Sequence, residues 1–222
     1  PVSSASLAEA ALQWDGKPLD QLSINLASPL GVRDVRTLRA WRSAPQRLWL
    51  ASKVTRPAAS GLFEWPGLEV MDLLHLQGPG VLRGVHRACT LTTLRAPHSL
   101  SEQDLQQIAR SETLCELGAM SADLTRRAFG HLLDMPALIK LDVEGAHFSD
   151  AMARRLAQAG RITQLEAGNT ALTGVGLRSL ARMPTLRLLD IWANDVNTDD
   201  IACLRDLPAL ESLTVGEFTG HP

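Results

Sequence analysis

A chain of 222 residues, 45% hydrophobic and 21% charged, falls within the range of soluble globular proteins and excludes global disorder. Its formal net charge of −2 excludes a nucleic-acid binder that relies on a generally basic surface. No run approaches the roughly 18 apolar residues needed to span a bilayer. Three scattered cysteines, Cys89, Cys115 and Cys203, suit buried thiols in a reducing compartment better than a disulfide framework.

The charge is unevenly spread. Lys and Arg outnumber Asp and Glu 12 to 9 in residues 1–110, and are outnumbered 10 to 15 in residues 111–222. Residues 1–18 are rich in Ala and Ser and close on a turn signal at Asp15, Gly16 and Pro18, so they read as an N-terminal cap over the first apolar layer. The opening PVSSASLAEAAL has neither a basic n-region nor an apolar h-region. No signal peptide is expected, and the chain reads as cytoplasmic, or as a secreted effector without a classical signal.

A first strand is expected over residues 19–24. A helix is expected from near Ser28 to about Arg42, with Pro29 in its first turn and Val32, Val35, Leu38 and Trp41 along one face. A second strand follows at residues 47–50, and its return segment between Arg56 and Gly67 is too broken for a long helix. A third strand is expected over residues 68–73. Trp14, Trp41 and Trp65 are expected to pack the cap and the early core.

From Leu91 onward the chain becomes regular. One column reads Leu48, Met71, Leu94, Leu117, Leu141, Leu165, Leu189 and Leu213, at separations of 23, 23, 23, 24, 24, 24 and 24. A second column, two residues on, runs from Ile24 through Leu50, Leu73, Ala96, Ala119, Val143, Ala167 and Ile191 to Val215. Residues two apart on a strand point the same way, so both columns are core. After each strand an apolar residue precedes a helix N-cap, at Ser101, Thr125, Ser149, Thr173 and Asn197. Pro136, Gly160, Pro184 and Pro208 then stop the helices. Each unit is strand, turn, helix and turn, and none can bury its apolar face alone.

These residues resemble the leucine-rich repeat family. The likeness is clearest in ITQLEAGNTALTGVGLRSLARMPT, beginning at Ile162, and in the following LRLLDIWANDVNTDDIACLRDLPA. It covers about residues 19–215 and is specific from about Leu91. The family's turn asparagine stands only at Asn194. Thr170 replaces it in one unit, and Ala122 and Ala146 lack the side-chain hydrogen bonds, so a weaker turn ladder is expected. The resemblance implies an α/β fold: a horseshoe-shaped leucine-rich repeat solenoid with a concave parallel sheet of about nine strands and a mostly helical convex side. It also implies a role in binding other proteins, in a form found in many bacterial arrays. Residues 1–18 form the cap, 19–90 irregular repeats and 91–222 regular repeats, in one continuous domain.

On such a sheet the third, fifth and seventh residues of each unit face outward. This places Asp142, Glu166 and Asp190 on successive strands, with Glu144 and Trp192 at the seventh position and Glu116, Lys140 and Leu188 at the third. Adjacent strands lie about 4.8 Å apart. Like charges at such a spacing cost on the order of 1–3 kcal/mol, partly offset by Lys140. The acidic column, with Trp192 and Leu188 as an exposed apolar anchor, is expected to dock a basic protein segment. The competing reading is a solvated sheet face whose acids splay apart.

Other features point less far. Oxygen ligands in a flat row do not converge on Ca²⁺ or Mg²⁺, so neither a metal nor a cofactor is expected. His75 and His98 share a column and read as loop histidines. Arg33, Arg36, Arg39 and Arg42 read as the solvated face of the first helix, and Gly174, Val175 and Gly176 as a turn into a repeat helix rather than a nucleotide loop. With no GxSxG, no HExxH and no motif-like cysteine, no enzyme activity is expected. The expected partner is a protein, with neither nucleic acid nor membrane. A substrate-recognition or effector role in a larger enzyme system is one alternative, and homodimerisation through an unprotected C-terminal edge is another.

Overall fold

The computed structural model describes residues 20–25, 29–40, 45–51, 53–74, 80–98 and 100–216. The expected cap at residues 1–18, together with Trp14, Trp41, Arg42, His75 and the last residues from 217, lies outside the described residues. The described chain up to Leu114, with Met135–Ala137, forms one compact unit. Cys115–Asp134 and the described residues from Leu138 form a second.

In the first unit four strands, β1 (Gln21–Ile24), β2 (Arg47–Leu50), β3 (Val70–Asp72) and β4 (Thr93–Arg95), pair in parallel and in chain order. Leu22, Leu48, Met71 and Leu94 are direct partners, which is the expected first column. The return segments are α1 (Val32–Arg39), α2 (Arg56–Leu62), a 3₁₀ turn at Val85–Arg87 and α3 (Glu102–Ile108). Val35, Leu38, Ala58, Ala59, Leu62, Leu105 and Ile108 turn inward and are buried, as is Trp65.

The first helix begins later than expected. Leu30 forms an isolated parallel bridge with Val54, and its N–H donates to the Lys53 carbonyl at 2.7 Å. That pairing holds the backbone out of the helix until Gly31, whose N–H donates to the Asp34 carboxylate at 2.8 Å. Val32 therefore opens the helix partly exposed instead of lying on its buried face. Cys89 also departs from expectation: it sits exposed in the turn after the 3₁₀ segment, and Cys115 and Cys203 are only half-buried.

In the second unit β5 (Glu116–Gly118), β6 (Lys140–Asp142), β7 (Gln164–Glu166), β8 (Leu188–Asp190) and β9 (Ser212–Thr214) pair in parallel and in chain order. Their helices are α4 (Arg126–Leu133), α5 (Asp150–Ala159), α6 (Gly174–Leu180) and α7 (Thr198–Ile201), the last continued by a 3₁₀ turn at Ala202–Leu204. Leu117, Leu141, Leu165 and Leu189 are buried in register. Their partner Leu213 on β9 is 38% exposed. Phe129 and Phe148 meet edge-on with ring centroids 5.6 Å apart, joining α4 to the next turn.

The strands are short because the chain leaves the sheet at a recurring turn. Ser121, Gly145, Asn169 and Ala193, each 24 residues from the next, all have positive φ, between 51° and 66°. Three of them are not glycine, a departure from the usual preference. The N–H of Ser121 donates to the Glu144 carbonyl, that of Gly145 to Gly168 and that of Asn169 to Trp192, at 2.7–3.0 Å. Backbone pairing thus continues past the strand ends and over-determines the left-handed residue.

One position further on, the side chain of Asn194 is buried. Its Nδ2 donates to the carbonyls of Ala167 at 2.7 Å and Ile191 at 3.0 Å, and its Oδ1 accepts from the Thr170 N–H and hydroxyl. Thr170 adds one bond to Ala167. Ala122 and Ala146 occupy the same place with backbone bonds alone, so among these four turns the side-chain ladder is confined to two.

Candidate functional site

The outward sheet face of the second unit follows from the register. Asp142, Glu166 and Asp190 are direct partners on β6, β7 and β8. Glu116, Lys140, Gln164 and Leu188 form the parallel row two residues earlier. All seven expected positions, Glu116, Asp142, Glu144, Glu166, Leu188, Asp190 and Trp192, lie in this unit, and each is half-buried.

The carboxylates are not equivalent. The Asp142 Oδ1 accepts the Glu144 N–H at 3.0 Å and the Asp190 Oδ1 accepts the Trp192 N–H at 3.2 Å. A short aspartate at a strand end can turn back onto its own backbone two residues on. Glu166, one methylene longer, reaches diagonally instead, and its Oε1 lies 2.8 Å from the Lys140 Nζ. Sequence reasoning placed these acids side by side but missed the division of labour between Asp and Glu. The side-chain lengths were the available signal.

Burial pushes the Asp142 carboxyl up to about 6, and the nearby charges of Glu166 and Glu144 push the same way, against the Glu144 N–H and Lys140. Lys140 is held above its usual value, first by its hydrogen bond to Glu166. The face therefore holds five carboxylates around one ammonium. Electrostatically it favours an incoming cation.

Trp192 is not the exposed anchor expected of it. A Cβ at Gly168 would overlap the indole Nε1, and one at Gly216 would come within 2.7 Å of the Trp192 Cβ. Its two column neighbours are thus glycines: the ring settles over Gly168, and Gly216 leaves room for the Trp192 backbone and Cβ. The freely exposed tryptophan of the sheet faces is Trp49 in the first unit, 48% accessible, with Asp72 and Ser23 as its strand partners. Asp72 repeats the strand-end turn, accepting the Leu74 N–H at 3.3 Å, and pairs with Arg95 at 3.5 Å.

Among the described residues no group of three His, Cys, Asp or Glu side chains is placed to hold a metal ion, and no helix is long and apolar enough to cross a membrane. His98 is exposed.

No protein-family model matches the sequence, and no curated protein matches it. The structure is similar to internalin C2 from Listeria monocytogenes, with a TM-score of 0.64 and 18% identity, over 96% of this chain and 84% of that one. A second Listeria internalin matches with a TM-score of 0.54 and 16% identity, over 98% of this chain and 70% of that one. TLR13, in its complex with ssRNA13, matches with a TM-score of 0.60 and 16% identity over 99% of this chain, which spans 31% of TLR13. Repeat spacing, strand register and these likenesses agree on one fold, that of the leucine-rich repeat proteins.

Proposed function

We propose that the chain is a non-enzymatic protein-interaction scaffold, and that the outward sheet face of its second unit binds a basic segment of a partner protein. The observation that carries this reading is the set of five carboxylates around Lys140: Glu116 in its own row, Asp142, Glu166 and Asp190 in the next, and Glu144 two residues beyond Asp142. A lysine or arginine docking there meets carboxylates already desolvated in part, and its charge offsets both the burial of Asp142 and the repulsion from Glu166 and Glu144. Leu188 supplies an apolar contact in the neighbouring row. The edge of the Trp192 ring adds to it.

The ssRNA in the TLR13 complex raises a nucleic-acid alternative. The sign of charge at this face disfavours it, because a phosphate backbone would face five carboxylates.

The test is the triple variant Asp142→Lys, Glu166→Lys and Asp190→Lys. Affinity capture from the native organism with mass spectrometry is expected to lose its partners with the variant, and a labelled lysine-rich peptide is expected to lose its binding. An unchanged set of partners overturns the reading, as does preferential binding of single-stranded RNA to this face.

A further inference from the structure

The second unit sorts its charges by face. Its sheet side is acidic, yet α4, α5, α6 and the residues just after them carry Arg126, Arg127, Arg154, Arg155, Arg161, Arg178 and Arg182. The acids on these helices do not balance them. The oxygens of Asp150 are occupied by the Thr173 N–H at 2.9 Å, the Thr173 hydroxyl at 2.7 Å and the Gly176 N–H at 3.0 Å.

The arginines then divide by what they touch. Arg155 donates to the Arg126 carbonyl at 2.7 Å and Arg161 to the Leu133 carbonyl at 2.6 Å, so both serve the end and flank of α4. Arg178 pairs with Asp200 at 2.9 Å. Arg154 and Arg182 are exposed and make no ion pair among the described residues. Both line a groove between α5 and α6 whose floor is Ala157 and the 48% exposed Val175.

The spacing explains the groove. Arg154, Ala157 and Gln158 on α5 fall on one helical face, as do Val175, Arg178, Ser179 and Arg182 along and just beyond α6. Two such faces side by side give a short apolar strip with Arg154 on one side and Arg178 and Arg182 on the other.

We propose that this groove docks an acidic segment of another protein, with an aliphatic side chain against Val175 and Ala157 and flanking carboxylates on Arg154 and Arg182. Charge complementarity selects the occupant. Planar guanidinium groups match carboxylates two bonds at a time, and an apolar floor needs an apolar side chain. A single-stranded nucleic acid would satisfy the arginines but would find no aromatic ring in the groove on which to stack a base. The site is separate from the sheet face, and has the opposite sign.

The probe is a fluorescein-labelled peptide of glutamates around one leucine, titrated against the full chain and followed by anisotropy. Saturable binding is expected, weaker by roughly tenfold in the double variant Arg154→Glu, Arg182→Glu, and weaker at raised salt. Replacing the leucine of the peptide by glycine is expected to weaken binding several-fold, whereas the neutral sheet-face variant Asp142→Asn, Glu166→Gln, Asp190→Asn is expected to leave it unchanged. No saturable binding, equal binding by the arginine variant, or tighter binding of a single-stranded oligonucleotide of equal charge would each overturn the proposal. If charge reversal alters the circular dichroism melt, the milder Arg154→Gln, Arg182→Gln variant answers the same question.

Discussion

Trp192 lies over Gly168, so closely that a single added Cβ would collide with the indole nitrogen. Gly168 is buried, its φ is not in the left-handed region, and the space above it is the only reason it must be glycine. Gly168→Ala is therefore expected to lever the ring off the sheet at a cost of about 1–3 kcal/mol. Chemical denaturation measures the loss. A red shift in tryptophan emission, absent when Trp192→Phe is already present, identifies the ring that moved. An unchanged spectrum and stability would mean that the two residues are not coupled.

Asp142 makes a pH prediction with a definite sign. Its folded pKa of about 6 lies above the ordinary aspartate value of 3.8, so the folded state holds this proton more tightly than the unfolded state. Stability from this group is then present at low pH and is lost as pH rises from about 4 through 6. After allowance for solvent screening of a half-exposed carboxyl, the loss is on the order of 1 kcal/mol. Asp142→Asn is expected to gain that amount relative to the parent chain between pH 4 and pH 7, in denaturation curves taken at each pH. A constant difference between the two proteins across this range would contradict the assignment.

Asn194 is the polar residue on which the turn between β8 and α7 most depends. Asn194→Ala strips the carbonyls of Ala167 and Ile191 and the N–H of Thr170 of a partner in one change. Buried groups left unsatisfied predict a loss of about 2–4 kcal/mol. Equilibrium urea unfolding checks this, and hydrogen exchange should place the loosened amides at Thr170 and its neighbours.

Ala193, with φ of 52°, sits where Gly145 sits one pair of repeats earlier. A Cβ in the left-handed region costs energy that glycine avoids, at the expense of a more flexible unfolded chain. Ala193→Gly is expected to raise stability by about 0.5–1 kcal/mol, and Gly145→Ala, whose Cβ would lie 3.0 Å from the Ser121 hydroxyl, to lower it. Thermal melts of the two variants should move in opposite directions.

Much of the fold was legible in the residues, for a physical reason. A side chain that must enter a shared core recurs at every turn of the array, so Leu117, Leu141, Leu165 and Leu189 announce their register by spacing alone. The same logic placed the N-caps at Ser101, Thr125, Thr173 and Asn197, each of which accepts a backbone N–H from its own first turn. The first helix was misjudged at its start because the bridge between Leu30 and Val54 is a contact between segments far apart in sequence. No local propensity encodes it.

The sequence by itself determined the core columns up to β8, which strands are neighbours and which row of acids faces outward, because all three follow from a 24-residue period and a two-residue alternation; at β9 Leu213 is exposed and Val215 half-buried. Only the tertiary structure decided what each outward side chain does. Asp142 and Asp190 fold back on their own backbone, Glu166 reaches Lys140, and Trp192 reclines over Gly168. On the helical side, Arg155 and Arg161 are engaged while Arg154 and Arg182 make no ion pair among the described residues. Periodicity specifies a direction from the backbone. Which partner a long or charged side chain finds depends on distances of an ångström or two between neighbouring repeats, and those are set only when the repeats stack.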